Sequence, residues 1–374
     1  MARIIYAVAG EGFGHSSRAH LIGQRFLDAG HEVMFVASHK ALLYLRSIYG
    51  ERVREIFGLS FTYRRGRIDA PRTFLRNLLK SMQSHSGNHR LFKYAFEPFD
   101  PDLVVTDFEP FTGWWAWRHR VPFISLDNEH ILTVCRLQHR WRHIVSRASA
   151  TAVTRCVGIR AATYVVPNFF KAPLKTDRAI LAPPIVRPAV TKLTASDGGH
   201  VIVYWTTGTE ESHLRAVLRR FPDQLFYVYG FDRKFRVGNC VFRRASTEGF
   251  LEDLASARGV VASAGLSLIS ECMYLRKKML ILPLPGQYEQ TINAHYIDQL
   301  GLGQSARRLD EATLGRFLGR LDEPMPHDDR ILWPDNEGFF DVLERVLGHL
   351  PRPLSIVPAS ARVSCAAEPV PSGC

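Results

Sequence analysis

Apolar runs of strand length, separated by stretches with helical spacing, set the pattern of this chain. Residues 3–10 (RIIYAVAG) read as a first buried strand that stops at a glycine-rich turn. Residues 15–29 read as a helix ended by Gly30, and residues 31–38 (HEVMFVAS) as a second strand. Residues 101–108 (PDLVVTDF) and 121–127 (VPFISLD) are later strands, with a helix through Trp114, Trp115 and Trp117 between them. Runs that are apolar throughout, with helices between them, predict a parallel sheet covered on both faces. Residues 58–97 are basic and polar with Phe and Leu at helical intervals, which predicts further helices.

The pattern halts and then restarts. Residues 171–199 carry Pro173, Pro183, Pro184 and Pro188 and end in Asp197-Gly198-Gly199, as a domain boundary does. Beyond it, residues 200–208, 224–231, 240–246, 259–265 and 279–286 are strand candidates with helices between them. The reading is an α/β protein of two Rossmann-like, doubly wound domains facing a cleft. The first domain covers residues 1–170 and the second 200–334, with a linker region at 171–199. An amphipathic helix at 335–350 closes the fold. The tail at 351–374, rich in Pro, Ser and Ala, is expected to be disordered.

Length and composition narrow the class. A chain of 374 residues suits two domains, each with its own core. The apolar runs are too short to span a membrane, and the start lacks a small-residue cleavage site. Six Cys without CxxC or zinc spacing suit thiols in a reducing compartment, so a cytoplasmic location is expected. The formal charge of +12 favours an anionic partner. Part of it is local: Arg136, His139, Arg140, Arg142, His143, Arg147, Arg155 and Arg160 interleave with Leu137, Trp141, Ile144 and Val145. A solvated basic helix face is the ordinary reading. A patch for an anionic membrane surface, peripheral to its inner face, or for an acceptor phosphate is the sharper one. No nucleic-acid motif accompanies the patch, so no nucleic-acid partner is expected.

Two motifs bring chemistry. GEGFGHSSR (residues 10–18) follows a strand and opens a helix, where glycines let the backbone approach a ligand and helix-start amides favour an anion. The spacing departs from the dinucleotide fingerprint, and the second strand ends in Ala37-Ser38-His39 rather than an acid, which argues against NAD. His15 at the helix start can take a proton from a hydroxyl, or can simply hydrogen-bond the loop. Asp107, at the end of its strand, can orient that imidazole, or can cap the next helix. Glu109 competes with Asp107, and Asp127, Glu129 and His130 close the following strand within reach of the cleft. At residues 263–294, the amides of Gly265, Leu266 and Ser267 suit a diphosphate, and Glu271 suits the two hydroxyls of a ribose. Glu289 and Gln290 can reach sugar hydroxyls. Taken singly, Glu271 is an ordinary exposed helix residue and Glu289-Gln290 an ordinary helix start.

Together these residues resemble the donor-binding region of the UDP-glycosyltransferases. Ser263, Gly265 and Glu271 keep its register, and Glu289-Gln290 and Asn293-Ala294 match its later steps. The chain also resembles glycosyltransferase family 28. The likeness is greatest to prokaryotic family-28-like proteins with GEGxGH near the start, DFEP (Asp107 to Pro110) and PxPGQxEQxxNA (Pro283 to Ala294). The resemblance implies a GT-B enzyme, inverting and independent of metal or other cofactor. His15 and Asp107 would be its catalytic residues. Its nucleoside-diphosphate sugar, UDP-linked by family frequency, would lie against Gly12, Gly14, Ser263, Gly265, Leu266, Ser267, Glu271, Glu289, Gln290 and Asn293. Its hydroxyl acceptor, lipid-linked or part of a cell-envelope glycan, would lie in the first domain. Ser263 and Leu266 depart from the His and Trp of the plant-type motif. Two other classes stand beside this reading: a nucleotide-sugar epimerase or hydrolase on the same fold, and a non-catalytic nucleotide-sugar-binding protein.

Overall fold

Strands at the predicted apolar runs form two separate sheets in a computed structural model. The structure describes residues 1–10, 13–58, 63–64, 67–68, 87–138, 143–205, 211–244 and 247–357. In the first half lie β1 (Arg3–Val8), β2 (Glu32–Ala37), β3 (Val53–Glu55), β6 (Leu103–Asp107), β7 (Phe123–Leu126), β8 (Thr163–Pro167) and β9 (Ala179–Ala182). Their order is β3-β2-β1-β6-β7-β8-β9, and every neighbouring pair is parallel. A short antiparallel pair, β4 (Tyr63–Arg64) and β5 (Arg67–Ile68), stands apart. Most of the predicted helices at 58–97 fall outside the described residues.

Side-chain alternation along β1 explains why the run is apolar throughout. Ile4, Tyr6 and Val8 enter one buried cluster, with Ile22 and Phe26 of the helix Phe13–Asp28. Ile5 and Ala7 enter another, with Trp115 and Ala116 of the helix Pro110–Arg118. Phe339, Phe340 and Leu343 of the closing helix, Asn336–Gly348, pack into the first of these clusters, so the chain returns to the first domain.

The second sheet holds β10 (His200–Tyr204), β11 (Leu225–Tyr229), β12 (Phe235–Val237), β13 (Cys240–Phe242), β14 (Ala257–Ala262), β15 (Lys278–Ile281) and β16 (Gly303–Ser305). Its order is β12-β13-β11-β10-β14-β15-β16, parallel except for the β12–β13 hairpin. Each sheet reverses its order among the parallel strands at one point, between β1 and β6 and between β10 and β14. In doubly wound sheets, ligands bind outside the carboxyl ends of the strands at such points.

Two stretches differ from the expectation. Residues 171–199 are not linker throughout, because β9 pairs with β8 and completes the first sheet. Its four residues are too short to stand out beside Pro183 and Pro184. At the other end, Ile356 is buried in the first domain, and His31 Nε2 donates to the Ser355 carbonyl at 2.7 Å. The expected tail is therefore packed as far as Val357, and residues 358–374 lie outside the described residues.

The chain's return to the first domain is tied to the β8–β9 connection and to the outgoing segment. Lys171 N donates to Arg330 O at 2.7 Å and Leu332 N to Phe169 O at 2.9 Å. Asn336 exchanges two side-chain hydrogen bonds with the backbone of Val186. Phe170 stacks on Tyr296 of the second domain, with ring centroids 3.6 Å apart.

Candidate active site

β1 and β6 meet in register at Val8 and Asp107, so the loop after β1 and the end of β6 share one edge. Ala9 N donates to the Asp107 carbonyl at 2.9 Å. Phe108 then turns the chain with φ +57°, a strained value for a bulky residue. The turn separates the two carboxylates of the DFEP step. Glu109 accepts from Phe111 N and Thr112 N and caps the helix Pro110–Arg118. Asp107 instead faces the glycine-loop helix, which begins at Phe13 and carries His15 in its first turn.

His15 Nδ1 lies 2.7 Å from Asp107 Oδ1. Arg18, one turn further along the same helix face, grips the same carboxylate through Nε at 2.7 Å and Nη2 at 2.5 Å. Asp107 is fully buried, and His15 keeps 17% of its side chain exposed. With Nδ1–H given to Asp107, Nε2 faces Glu129 Oε1 at 3.4 Å. Burial works against an imidazolium here, but Asp107 and then Glu129 outweigh it, and the His15 pKa rises to about 9. An ordinary histidine near 6.5 is therefore not what this site holds. Burial, then Asp107, also raises the phenol of Tyr6 beneath the pair.

The other carboxylates sort by partner. Asp127 accepts from Ser125 Oγ, His130 N and His130 Nδ1, forming a closed, buried unit. Glu129 is raised mainly by burial, against the pull of His15. Glu289, across the seam on the helix Tyr288–Gln299, is pushed up to about 8 by burial and then by Glu129. Its Oε1 accepts from Asn128 Nδ2 at 2.9 Å and from Asn293 Nδ2 at 2.6 Å.

On the second domain, Gly265 precedes the helix Leu266–Tyr274 at the end of β14. A Cβ at Gly265 would meet no described heavy atom within 4 Å, whereas one at Gly14 would come within 2.5 Å of Ser267 Oγ. Gly14 is thus where the two domains approach closely. Ser267 is exposed, Ser263 half-buried and Leu266 buried. Gly12 lies outside the described residues. Glu271 is not an exposed helix residue: it is 3% exposed and held in bidentate fashion by Arg187 Nε at 2.6 Å and Nη2 at 2.8 Å. Gly14, Arg18, Arg187, Ser267 and Glu271 line a cavity of about 20 Å³ between the domains, room for about one water. Gln290 turns away from the cleft. Its Oε1 accepts from Ala264 N and Leu284 N, and Asn293 Nδ2 donates to Ala264 O, so both brace the donor-side loops. Arg18, Asn128 and Arg187 had no role in the sequence reading. Only the one-turn spacing of Arg18 from His15 offered a signal.

The sequence model of Glycosyl transferase family 1 matches residues 2–322. The chain belongs to this family. It is a glycosyltransferase of the GT-B fold, and solved structures agree on the architecture. CalG4, the calicheamicin glycosyltransferase, aligns at 16% identity over 94% of this chain and 100% of its own, with a TM-score of 0.63. UGT89C1 of Arabidopsis thaliana, solved with UDP-L-rhamnose, aligns at 16% identity over 86% and 90%, with a TM-score of 0.58. MurG of Acinetobacter baumannii aligns at 12% identity over 86% and 91%, with a TM-score of 0.52. No curated protein sequence matches this glycosyltransferase.

Away from the cleft, the glycosyltransferase exposes Trp114 and Trp117 on the helix Pro110–Arg118, and Ile144 and Val145 on the helix Ile144–Val157. Trp114 Nε1 donates to Cys156 O, and Arg160 lies over the Trp117 ring at 5.0 Å, which joins the two helices into one surface. Arg118, Arg120, Arg147 and Arg155 are exposed on the same helices and their flanks. Residues 139–142 of the predicted basic stretch lie outside the described residues. Among the described residues, no helix is long and apolar enough to cross a membrane.

Proposed function

We propose that this glycosyltransferase inverts the anomeric centre as it moves a sugar from a nucleoside-diphosphate sugar to a hydroxyl acceptor. The observation that carries the reading is the His15–Asp107 pair, 2.7 Å apart on the cleft edge opposite the start of the helix Leu266–Tyr274. His15 Nε2 takes the acceptor O–H proton while Asp107 holds Nδ1–H. The acceptor oxygen attacks the anomeric carbon from the face opposite the diphosphate. The bond to the diphosphate breaks, and its electron pair leaves on the phosphate oxygen. Backbone N–H groups from Gly265 to Ser267, with those of Gly12 and Gly14, receive the developing charge, so the reading includes no metal ion. Glu271 takes the ribose, and Glu289 with Ser263 lies toward the sugar. Gln290 and Asn293 act by holding the loops. The UDP-L-rhamnose bound to UGT89C1 supports UDP as the nucleotide.

The test is incubation with UDP-, dTDP- and GDP-sugars, with and without hydroxyl acceptors. Nucleoside diphosphate release should require acceptor, survive EDTA and give a product of opposite anomeric configuration. Turnover at the same rate without acceptor would favour the epimerase or hydrolase. Loss with EDTA and rescue by magnesium would count against the metal-free reading.

The surface joining Trp114, Trp117, Ile144 and Val145 with exposed arginines supports a peripheral contact with anionic lipid, on the cytoplasmic face of the membrane. The protein should sediment with phosphatidylglycerol vesicles and release as salt screens the attraction. Equal binding to neutral vesicles, or none to either, would remove this contact.

A further inference from the structure

Building on the glycosyl-transfer reading above, we propose that the acceptor presents two neighbouring hydroxyls, with Glu129 receiving the second while His15 deprotonates the first. His15 has one free nitrogen, because Nδ1 is committed to Asp107. Beside that nitrogen stands Glu129 Oε1, at 3.4 Å. This exceeds a good N–H···O distance, so the two groups are neighbours without being sealed to each other. The second oxygen of Glu129, Oε2, is buried and has no hydrogen-bond partner among the described residues. A buried carboxylate oxygen without a donor is costly, and an incoming O–H relieves that cost.

The surrounding acids are already occupied. Asp107 is held by Arg18 and His15, Asp127 by Ser125 and His130, Glu109 by two backbone amides, and Glu289 Oε1 by Asn128 and Asn293. Access also separates Glu129 from Asp107 and Asp127. His15 and Glu129 keep 17% and 16% of their side chains exposed, while Asp107 and Asp127 keep none. A ligand entering at this edge meets the imidazole and Glu129 together.

Hydroxyl oxygens on adjacent carbons stand about 3 Å apart, near enough for one to meet Nε2 while the other meets the Glu129 carboxylate, whose Oε1 is 3.4 Å away. A vicinal diol, as sugars carry, can engage both groups at once. A lone alcohol or phenol satisfies only His15. The transfer step is unchanged: the proton of the attacking hydroxyl passes to His15, and Glu129 takes none.

The experiment compares the best vicinal-diol acceptor from a screen with its analogue lacking the neighbouring hydroxyl, using one nucleotide sugar. The wild type should favour the diol in kcat/KM by about 10- to 100-fold, as for a hydrogen bond to a charged group. Glu129→Ala should bring the ratio close to one, because its effect on His15 acts on both acceptors alike and cancels in the ratio. If that variant does not fold, Glu129→Leu, which fills the same space without an acceptor, is read in the same way. A wild type that treats both acceptors alike, or a Glu129 variant that keeps the preference, overturns the proposal. Failure of the wild type to transfer to any hydroxyl, despite binding the donor, overturns the proposed function and this inference with it.

Discussion

At the β1/β6 switch point the chain places His15, Arg18 and Asp107, side chains whose charges depend on one another. At the β10/β14 switch point it places Gly265, Leu266 and Ser267, whose contribution is backbone N–H groups at a helix start. The topology is the same, and the chemistry divides. A helix terminus carries a fixed partial charge that no pH in the working range removes. An imidazole between two carboxylates carries a charge that can be withdrawn. The domain proposed to handle a proton holds a dense ionic network, and the domain proposed to hold an anion offers fixed dipoles braced by Gln290 and Asn293.

The largest test of this contrast removes the proton chemistry. His15→Ala should lower kcat by about 10²–10⁴-fold while nucleotide affinity, measured by calorimetry, stays near wild type. Asp107→Asn should also lower kcat, and the double variant should fall far from additivity because the pair acts as a unit. Asp107→Asn should lower the thermal midpoint as well, since it leaves the buried Arg18 without its full partner.

The pH profile sharpens the same point. His15 must be neutral to act as a base, so acceptor kcat/KM should keep rising towards pH 9 rather than level off above 6.5. The sign for stability is opposite. A folded-state pKa raised above the unfolded value stabilises fully below about 6.5 and loses that contribution as pH rises through about 9. If wild type and His15→Ala show the same change in midpoint across that window, the raised pKa is wrong.

A smaller effect tests the donor side. Glu271→Ala should weaken nucleoside-diphosphate affinity by about 10- to 100-fold, the value of a charged hydrogen bond. It should also cost stability, because Arg187 loses its partner. Arg187→Gln should match or exceed wild-type affinity, since ribose would no longer have to displace the guanidinium. Equal weakening in both variants would make Glu271 a brace for the interdomain connection.

The smallest effect concerns the close approach of the two domains. Gly14→Ala should cost about 1–3 kcal/mol of stability through overpacking, and Ser267→Ala should recover much of it. No change in midpoint for Gly14→Ala would mean that the two helices stand further apart in solution.

Much of this could be read from the chain. Parallel strands buried on both faces leave unbroken apolar runs, so β1, β2, β6, β7, β10, β11, β14 and β15 stood out. His15 and Asp107 were legible together because the loop after β1 leads into the His15 helix on the same sheet edge where β6 ends. β9 was hidden by its length and the prolines after it. Arg187 lies 84 positions from Glu271 in that proline-rich stretch, and no local pattern links the two. The turning of Gln290 toward backbone was equally unreadable, because it depends on where the 264 and 284 amides come to rest.

The paired crossings between the domains have a mechanical consequence. A chain that passes between two bodies once leaves them free to swivel. Here it passes twice, and the return at Arg330–Asn336 is hydrogen-bonded to the β8–β9 connection at Phe169–Lys171 and to the outgoing segment at Val186. Two pins on one line make a door rather than a ball joint. A rotation about that line would have to break the side-chain bonds of Asn128 with Glu289 and of Gln138 with Gln299. Shear along the seam would have to break the pins themselves. Each swing should therefore return His15 to the same place opposite the start of the helix Leu266–Tyr274.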